Sequence, residues 1–209
     1  MVAAVVLPLA AALPRGSELA PTEAREGLPR GRVIELAGGP DAGRTSAAVQ
    51  IVIESQREGD PVAWIQPRGG ALYPPDLAAA GVDLDALLVV HVPEAAGRAG
   101  AAKAAELVLR TGAFGAVVVD ASDARVPRGE AWLGRLASLS REHDCRTVLL
   151  GPEEASGSLG PLVSMRLRAR RRRVRFGQYR MELEVLKDKS GHRPTLPGPR
   201  EWAGPEGMP

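Results

Sequence analysis

Short apolar runs alternate with segments of helical periodicity between residues 33 and 150. The first run, Val33–Ala37, precedes a glycine-rich turn, and apolar positions at helical spacing follow between Thr45 and Glu58. The predicted strands are 33–37, 62–65, 87–92, 116–119 and 146–150, and the predicted helices are 45–58, 75–80, 95–110 and 128–143. Strands separated by helices at this interval indicate an α/β fold, a mostly parallel twisted sheet with helices on both faces.

The pattern changes after residue 160. Residues 163–176 and 179–187 alternate apolar and charged positions with a period of two, and Gly177 and Gln178 lie between them. This alternation predicts an antiparallel hairpin at the edge of the sheet.

Three parts of the chain follow from these patterns. We expect the core domain at 32–189 and, before it, an N-terminal segment and loop at 1–31 that pack on the core. Pro and Gly dominate from residue 190 onward, which predicts a disordered tail at 190–209.

The composition fits one domain with an aliphatic core. Hydrophobic residues make up 44% of the 209 residues and aromatic residues only 3%, which suits buried parallel strands. The net charge of +2 selects no class of partner. One cysteine, Cys145, cannot form an internal disulfide, so a cytoplasmic setting is expected. The apolar residues 1–14 lack the basic start of a signal peptide and are shorter than a membrane span.

The glycine-rich turn has the spacing of a phosphate-binding loop. Gly38, Gly43 and Thr45 match G-x-x-x-x-G-K-[ST], but Arg44 stands where the motif has lysine. Such a loop holds phosphates through backbone N–H groups, the lysine reaches the outer phosphates, and the Thr hydroxyl holds Mg²⁺. A guanidinium is longer, planar and forked, so it does not reproduce the geometry of the lysine. Asp120, at the end of a predicted strand, is placed like the carboxylate that holds a Mg²⁺-bound water.

Several segments resemble bacterial RecA. They are GLPRGRVIELAGGPDAGRTSAAVQIVIESQREG, WIQPRGGALYPPDLAAAGVDLDALLV, GAFGAVVVDAS, VSMRLRARR and LEVLKDKSGHRP. The resemblance covers roughly residues 5–195 and implies a RecA-like core. In RecA-like proteins a catalytic glutamate follows the second strand, whereas Gln66-Pro67-Arg68-Gly69 stands here, with Arg68 closest to the expected place.

The loss of both lysine and glutamate predicts a protein that is not an enzyme. Gly38, Gly43, Arg44, Thr45 and Asp120 then form a vestigial nucleotide pocket, with no catalytic residue, no metal site and no cofactor. The alternative is a DNA-dependent ATPase that tolerates Arg44.

A short RecA-like sequence with an altered phosphate loop is similar to the ImuA group. These are accessory proteins of bacterial damage-induced mutagenesis cassettes, which work with the polymerase-like ImuB and an error-prone DnaE-type polymerase. The similarity implies a role in the SOS response and translesion synthesis, with an ImuB-like protein, and RecA as a second candidate, as partners. Because the sequence starts close to the core, we expect no RecA-type N-terminal arm and an open groove where a partner's arm docks. A modulator that caps RecA filaments is an alternative.

Arginines are concentrated in the predicted hairpin. They are Arg166, Arg168, Arg170, Arg171, Arg172, Arg173 and Arg175. Three interpretations remain open: contact with a DNA backbone, protection of an exposed sheet edge by charge, or binding of a partner's acidic surface. Trp64 and Trp132 are predicted in the core, and Trp202 is a candidate anchor for a partner.

Overall fold

The computed structural model describes residues 27–39, 42–70, 72–121, 127, 130–151, 157–176, 178–189 and 200–203. The expected packing of residues 1–26 lies outside this part of the chain. The loop at 27–31 does pack on the core, since Leu28 is buried and the Arg30 guanidinium binds Glu58 and Asp60.

The elements follow one another as the apolar pattern predicts. They are β1 (Val33–Ala37), α1 (Arg44–Arg57), β2 (Val62–Pro67), α2 (Pro74–Ala80), β3 (Leu87–Val92), α3 (Gly100–Arg110), β4 (Ala116–Asp120), α4 (Ala131–Glu142), β5 (Arg146–Leu150), β6 (Met165–Arg175), β7 (Gln178–Asp188) and β8 (Arg200–Ala203).

These strands form a mixed sheet in the order β3-β2-β4-β5-β1-β6-β7-β8. The pairs from β3 to β6 are parallel, and β6–β7 and β7–β8 are antiparallel. The predicted fold class, a mostly parallel sheet with helices on both faces and an antiparallel hairpin, is confirmed.

Two apolar clusters cover the faces of the sheet. Helices α1 and α2 pack on one face, where Ile34, Leu36 and Trp64 are buried. Helices α3 and α4 pack on the other face, where Val33 and Trp132 are buried. Since neighbouring residues of a strand point to opposite faces, the largely apolar strands supply both clusters. Both tryptophans lie in the core, as predicted.

The predicted helix 95–110 is divided in two. Glu94–Ala96 form a single 3₁₀ turn, and α3 begins only at Gly100. Gly97, with φ 60°, lies in the left-handed region that glycine adopts without steric cost, and it ends the turn. Helix α4 begins at Ala131, later than the predicted residue 128.

The prediction of a disordered tail is wrong for residues 200–203. They form β8, which pairs with β7 in the register Tyr179↔Trp202 and Arg180↔Glu201. The physical reason is that β7 presents a row of unpaired backbone groups, which a further strand satisfies. Residues 190–199 and 204–209 lie outside the described chain. No helix within the described ranges is long and apolar enough to cross a bilayer.

Candidate functional site

The glycine-rich loop lies against the hairpin strand β6. A side chain at Gly38 would bring its Cβ to 2.9 Å from the Cβ of Ala42 and to 3.4 Å from the carbonyl oxygen of Ala169. Gly43 adopts φ 82° just before α1, and a Cβ there would lie 3.2 Å from the Cβ of Arg171. Both glycines also lie at positive φ, which disfavours other residues, so the loop in contact with β6 is suited to glycine at these two positions.

The Arg44 guanidinium is bound to the backbone at the carboxyl ends of β1 and β5. Its Nη1 donates to the carbonyl of Gly38 at 3.0 Å and also to the carbonyl of Gly151. Its Nε is buried and has no hydrogen-bond partner within the described residues. Thr45 follows in the first turn of α1 and is half-buried. Arg44 thus links two strand ends that the sequence separates by more than a hundred residues.

Asp120 is the last residue of β4 and lies opposite Leu150, the neighbour of Gly151. It lines a cavity of about 340 Å³ together with Pro67, Glu94 and Arg98. Arg68, just beyond β2, is exposed, and its backbone N–H donates to the carbonyl of Val92. The carboxyl edge of the sheet thus carries one acid from β4 and none directly after β2.

Arg166 does not belong to an exposed stripe. Its Nε lies 3.1 Å from Oε1 of Glu35, and its side chain is 11% exposed while that of Glu35 is fully buried. The two residues are directly opposite each other in the β1–β6 pair. The Arg166 Nη2 also donates to the carbonyl of Gly157 at 2.6 Å. Arg166 is thus held at the base of the hairpin by a buried carboxylate, which does not support the interpretation of Arg166 as a surface contact.

Glu35 is a residue that sequence reasoning missed. Its Oε2 accepts hydrogen bonds from the Ser158 hydroxyl at 2.8 Å and from the backbone N–H of Leu159 at 3.0 Å. The signal was the single charge inside the apolar strand VIELA, because a buried carboxylate requires a cation and hydrogen-bond donors. Glu35 therefore orients the segment that follows β5.

The next two arginines share one carboxylate on the neighbouring strand. Arg168 Nη1 lies 3.1 Å and Arg170 Nε 3.3 Å from Oε2 of Glu184. Arg172 lies opposite Arg180, whose guanidinium binds Glu201 on β8 at 2.8 Å. The charge along this face of the hairpin is thus partly neutralised.

Two further arginines stack on aromatic rings. The Arg171 guanidinium lies 4.8 Å from the ring centroid of Tyr179, and that of Arg173 lies 5.2 Å from that of Phe176. Arg175 donates to the Gln178 side chain. A groove of about 390 Å³ runs between the glycine loop and the strand, and it is lined by Gly38, Gly39, Ala42, Arg168, Ala169, Arg170, Arg171 and Arg172. The structure thus brings the loop glycines and four of the predicted arginines to one groove.

Comparison with known proteins finds relatives that carry the name "Protein RecA". The chain is 41% identical over 104 residues to "Protein RecA" of Salinispora tropica, covering 50% of this chain and 29% of the relative. It is 40% identical over 104 residues to "Protein RecA" of Clostridium acetobutylicum, with the same coverage. Over 133 residues it is 32% identical to "Protein RecA" of Fusobacterium nucleatum, covering 64% of this chain and 34% of the relative. The chain therefore matches about a third of the length of these relatives.

The family described as "RecA N-terminal domain" matches residues 12–143. This range contains the glycine loop, Arg44 and Asp120, and it ends before the arginine hairpin begins. Because the match covers more than half of the chain, the protein belongs to the RecA family.

Proposed function

We propose that this chain is a non-catalytic RecA-like interaction subunit that acts in SOS-induced translesion synthesis. Its proposed partner is an ImuB-like, polymerase-related protein, with RecA as a second partner. The observation that carries the proposal is the Arg44 guanidinium, which is hydrogen-bonded to the carbonyls of Gly38 and Gly151. A phosphate loop that supports hydrolysis needs a compact cation directed at the outer phosphates. Arg44 is instead directed at backbone oxygens.

The other groups at this edge also do not fit a bound Mg²⁺–nucleotide that is hydrolysed. Asp120 remains at the end of β4, but the exposed Arg68 stands where a water-orienting acid is expected. Arginine is permanently charged and cannot accept a proton from water. We therefore assign no reaction to this edge, and its residues serve the architecture of the loop.

The proposed docking surface for the partner is the open edge of the sheet at β3. Ala86 and Val92 accept hydrogen bonds from Val62 and Arg68 on the β2 side. Because the residues of a parallel strand alternate in direction, Leu87, Val89 and His91 point their backbone groups away from β2. Among the described strands none pairs with that side of β3.

The two edges of the sheet differ in composition. The β3 strand reads LLVVHV and contains no Lys, Arg, Asp or Glu, whereas the four-residue β8 reads REWA. Natural sheets protect exposed edges with charge or short length, and β8 has both properties while β3 has neither. An added strand from a partner would satisfy the open backbone groups of β3. This edge suits the docking of a RecA-type arm supplied by the partner.

A nucleotide experiment tests the non-catalytic assignment. Purified protein is assayed for phosphate release with ATP, Mg²⁺ and single-stranded DNA, and its melting temperature is measured with and without nucleotide. We expect no release above a Thr45→Ala control and no stabilisation, since a bound ligand stabilises by RT ln(1 + [L]/Kd). DNA-stimulated release that Thr45→Ala abolishes would establish the ATPase alternative instead.

A proline substitution tests the docking edge. Val89→Pro removes an outward N–H of β3 and leaves the carbonyls that bind β2 in place. Val89→Thr keeps the N–H and the β-branched shape, so it serves as the matched control. In pull-downs with the ImuB-like protein we expect Val89→Pro to weaken capture by at least about tenfold and Val89→Thr to leave it unchanged. Equal capture by both variants, with unchanged melting temperatures, contradicts this docking mode.

A further inference from the structure

Three consecutive arginines of the hairpin have no carboxylate partner among the described residues. We call Arg171, Arg172 and Arg173 the arginine rim. Arg166, Arg168 and Arg170, before them, bind Glu35 or Glu184. Within the described residues the rim arginines make no ion pair, and all three are exposed. Uncompensated positive charge is therefore concentrated at this end of the hairpin.

Stacking orders two of these guanidiniums. Arg171 lies over the Tyr179 ring and Arg173 over the Phe176 ring. A guanidinium that stacks on a ring contacts the ring through its planar face. Its N–H groups point outward in that plane, where they can donate bidentate hydrogen bonds to a planar anion. The ring also reduces the side-chain freedom that an anion would otherwise have to restrict. The rim is thus organised to bind oxyanions before any ligand arrives.

The groove beside the rim is where an anion would bind. Arg171 and Arg172 line the cavity of about 390 Å³, and the backbone of Gly38 and Gly39 forms its other side. The Arg44 guanidinium does not line this groove and is bound to the carbonyls of Gly38 and Gly151. The groove therefore takes its positive charge from β6 and not from the residue that replaced the lysine.

We propose that the arginine rim and this groove bind an extended acidic segment of a protein partner. Alternate residues of an extended peptide lie on one face about 6.8 Å apart, which equals the spacing of Arg171 and Arg173 along β6. Carboxylates at every second position of the segment would meet these two guanidiniums.

The aromatic rings favour a peptide over single-stranded nucleic acid. Such nucleic-acid sites rely on open aromatic faces on which bases stack. Tyr179 is half-buried and covered by Arg171, and one face of Phe176 is covered by Arg173. The hairpin presents guanidinium edges here, and of the two rings only Phe176, which is 72% exposed, keeps an open face.

This surface is separate from the β3 edge. Strand β6 stands five places from β3 in the sheet order, which corresponds to about 24 Å at the usual strand spacing. The inference therefore does not rest on the docking mode at β3. The proposals for the β3 edge and for the arginine rim can therefore be tested independently.

Fluorescence anisotropy with charge-matched probes tests the proposal. The probes are a labelled twelve-residue peptide of alternating Glu and Ser, a peptide of the same composition with its Glu and Ser in two blocks, and the oligonucleotide dT7. Each carries six negative charges in its chain. We expect the alternating peptide to bind at least about threefold more tightly than either of the other probes at the same salt concentration.

Paired variants assign the binding to the rim. The double variant Arg171→Gln, Arg173→Gln should weaken binding of the alternating peptide at least about tenfold. The control double variant Arg110→Gln, Arg135→Gln removes the same charge from α3 and α4, where both arginines bind Glu106, and should stay within about twofold of wild type. Circular dichroism verifies the fold of both. Equal effects of the two double variants, or dT7 binding as tight as peptide binding, overturns the proposal.

Discussion

The Arg166 guanidinium lies directly opposite Glu35 in the β1–β6 pair, with 3.1 Å between Nε and Oε1. This contact places an ion pair inside the sheet, between β6 and β1, the strand that leads into the glycine loop. Arg166 therefore differs from the other arginines of the hairpin, whose side chains are more exposed to solvent. The hairpin therefore contains a structural arginine at its base and an exposed cluster at its end.

Removing Arg166 should strongly destabilise the fold. Arg166→Ala would leave the Glu35 carboxylate buried without its cation, and breaking a buried pair in this way costs about 3–5 kcal/mol. Arg172→Ala, on the same strand but exposed, should change the free energy of unfolding by no more than about 0.5 kcal/mol. Urea denaturation at neutral pH measures both values. Similar values for the two variants would contradict the structural role of Arg166.

The sequence predicted the sheet but not the partners of its charges. The order of strands and helices followed from apolar runs such as Val33–Ala37, because local periodicity reports burial. The pairing of Arg166 with Glu35 depends on β6 lying beside β1, which is a long-range property. Strand β8 was missed for the same reason, since its four residues have too little local pattern and gain their structure from β7. The loop spacing located the candidate site, but the turn of Arg44 toward Gly151 was visible only in three dimensions.

Acid should weaken the fold through Glu58. Burial raises the pKa of Glu58, but hydrogen bonds and charge from Arg146 and Arg30 outweigh it, so the pKa lies below its usual value. A lowered carboxyl pKa stabilises the fold above the usual value of about 4.3, and this contribution is lost as the pH falls through the folded-state pKa. Glu58→Gln should therefore show a smaller loss of unfolding free energy between pH 7 and pH 3 than wild type.

Glu54 supplies the matched comparison, with the opposite sign. Burial raises the pKa of Glu54 above its usual value. A raised carboxyl pKa stabilises the fold at low pH, and that contribution is lost as the pH rises through the folded-state value. Glu54→Gln should therefore make the loss of stability on acidification steeper than in wild type. Urea titrations across the pH range check both slopes, and a change of the same sign in both variants contradicts the assignment.

Cys145 should be unreactive in the folded protein. Its thiol is buried, and burial raises its pKa to about 12. Because the thiolate is the reactive form, almost none is present at pH 8. We expect Ellman's reagent to modify Cys145 only at the rate of unfolding, and to modify it at once in concentrated urea. Rapid modification of the native protein would show that the site between α4 and β5 is open.

Restoring the lysine should not restore hydrolysis. Arg44→Lys supplies the cation of the motif, but the strand β2 still leads to the exposed Arg68 and no acid follows it directly. We expect no DNA-stimulated phosphate release from this variant, because orientation of the attacking water is still missing.

We also expect a loss of stability of about 1.5–3 kcal/mol for Arg44→Ala, since the hydrogen bonds of a charged group to Gly38 and Gly151 disappear. Arg44→Lys should lose less, because an ammonium group can still donate to one of the two carbonyls. Phosphate release by Arg44→Lys would show that the missing lysine alone prevents hydrolysis, and an Arg44→Ala variant as stable as wild type would show that Arg44 does not support the loop.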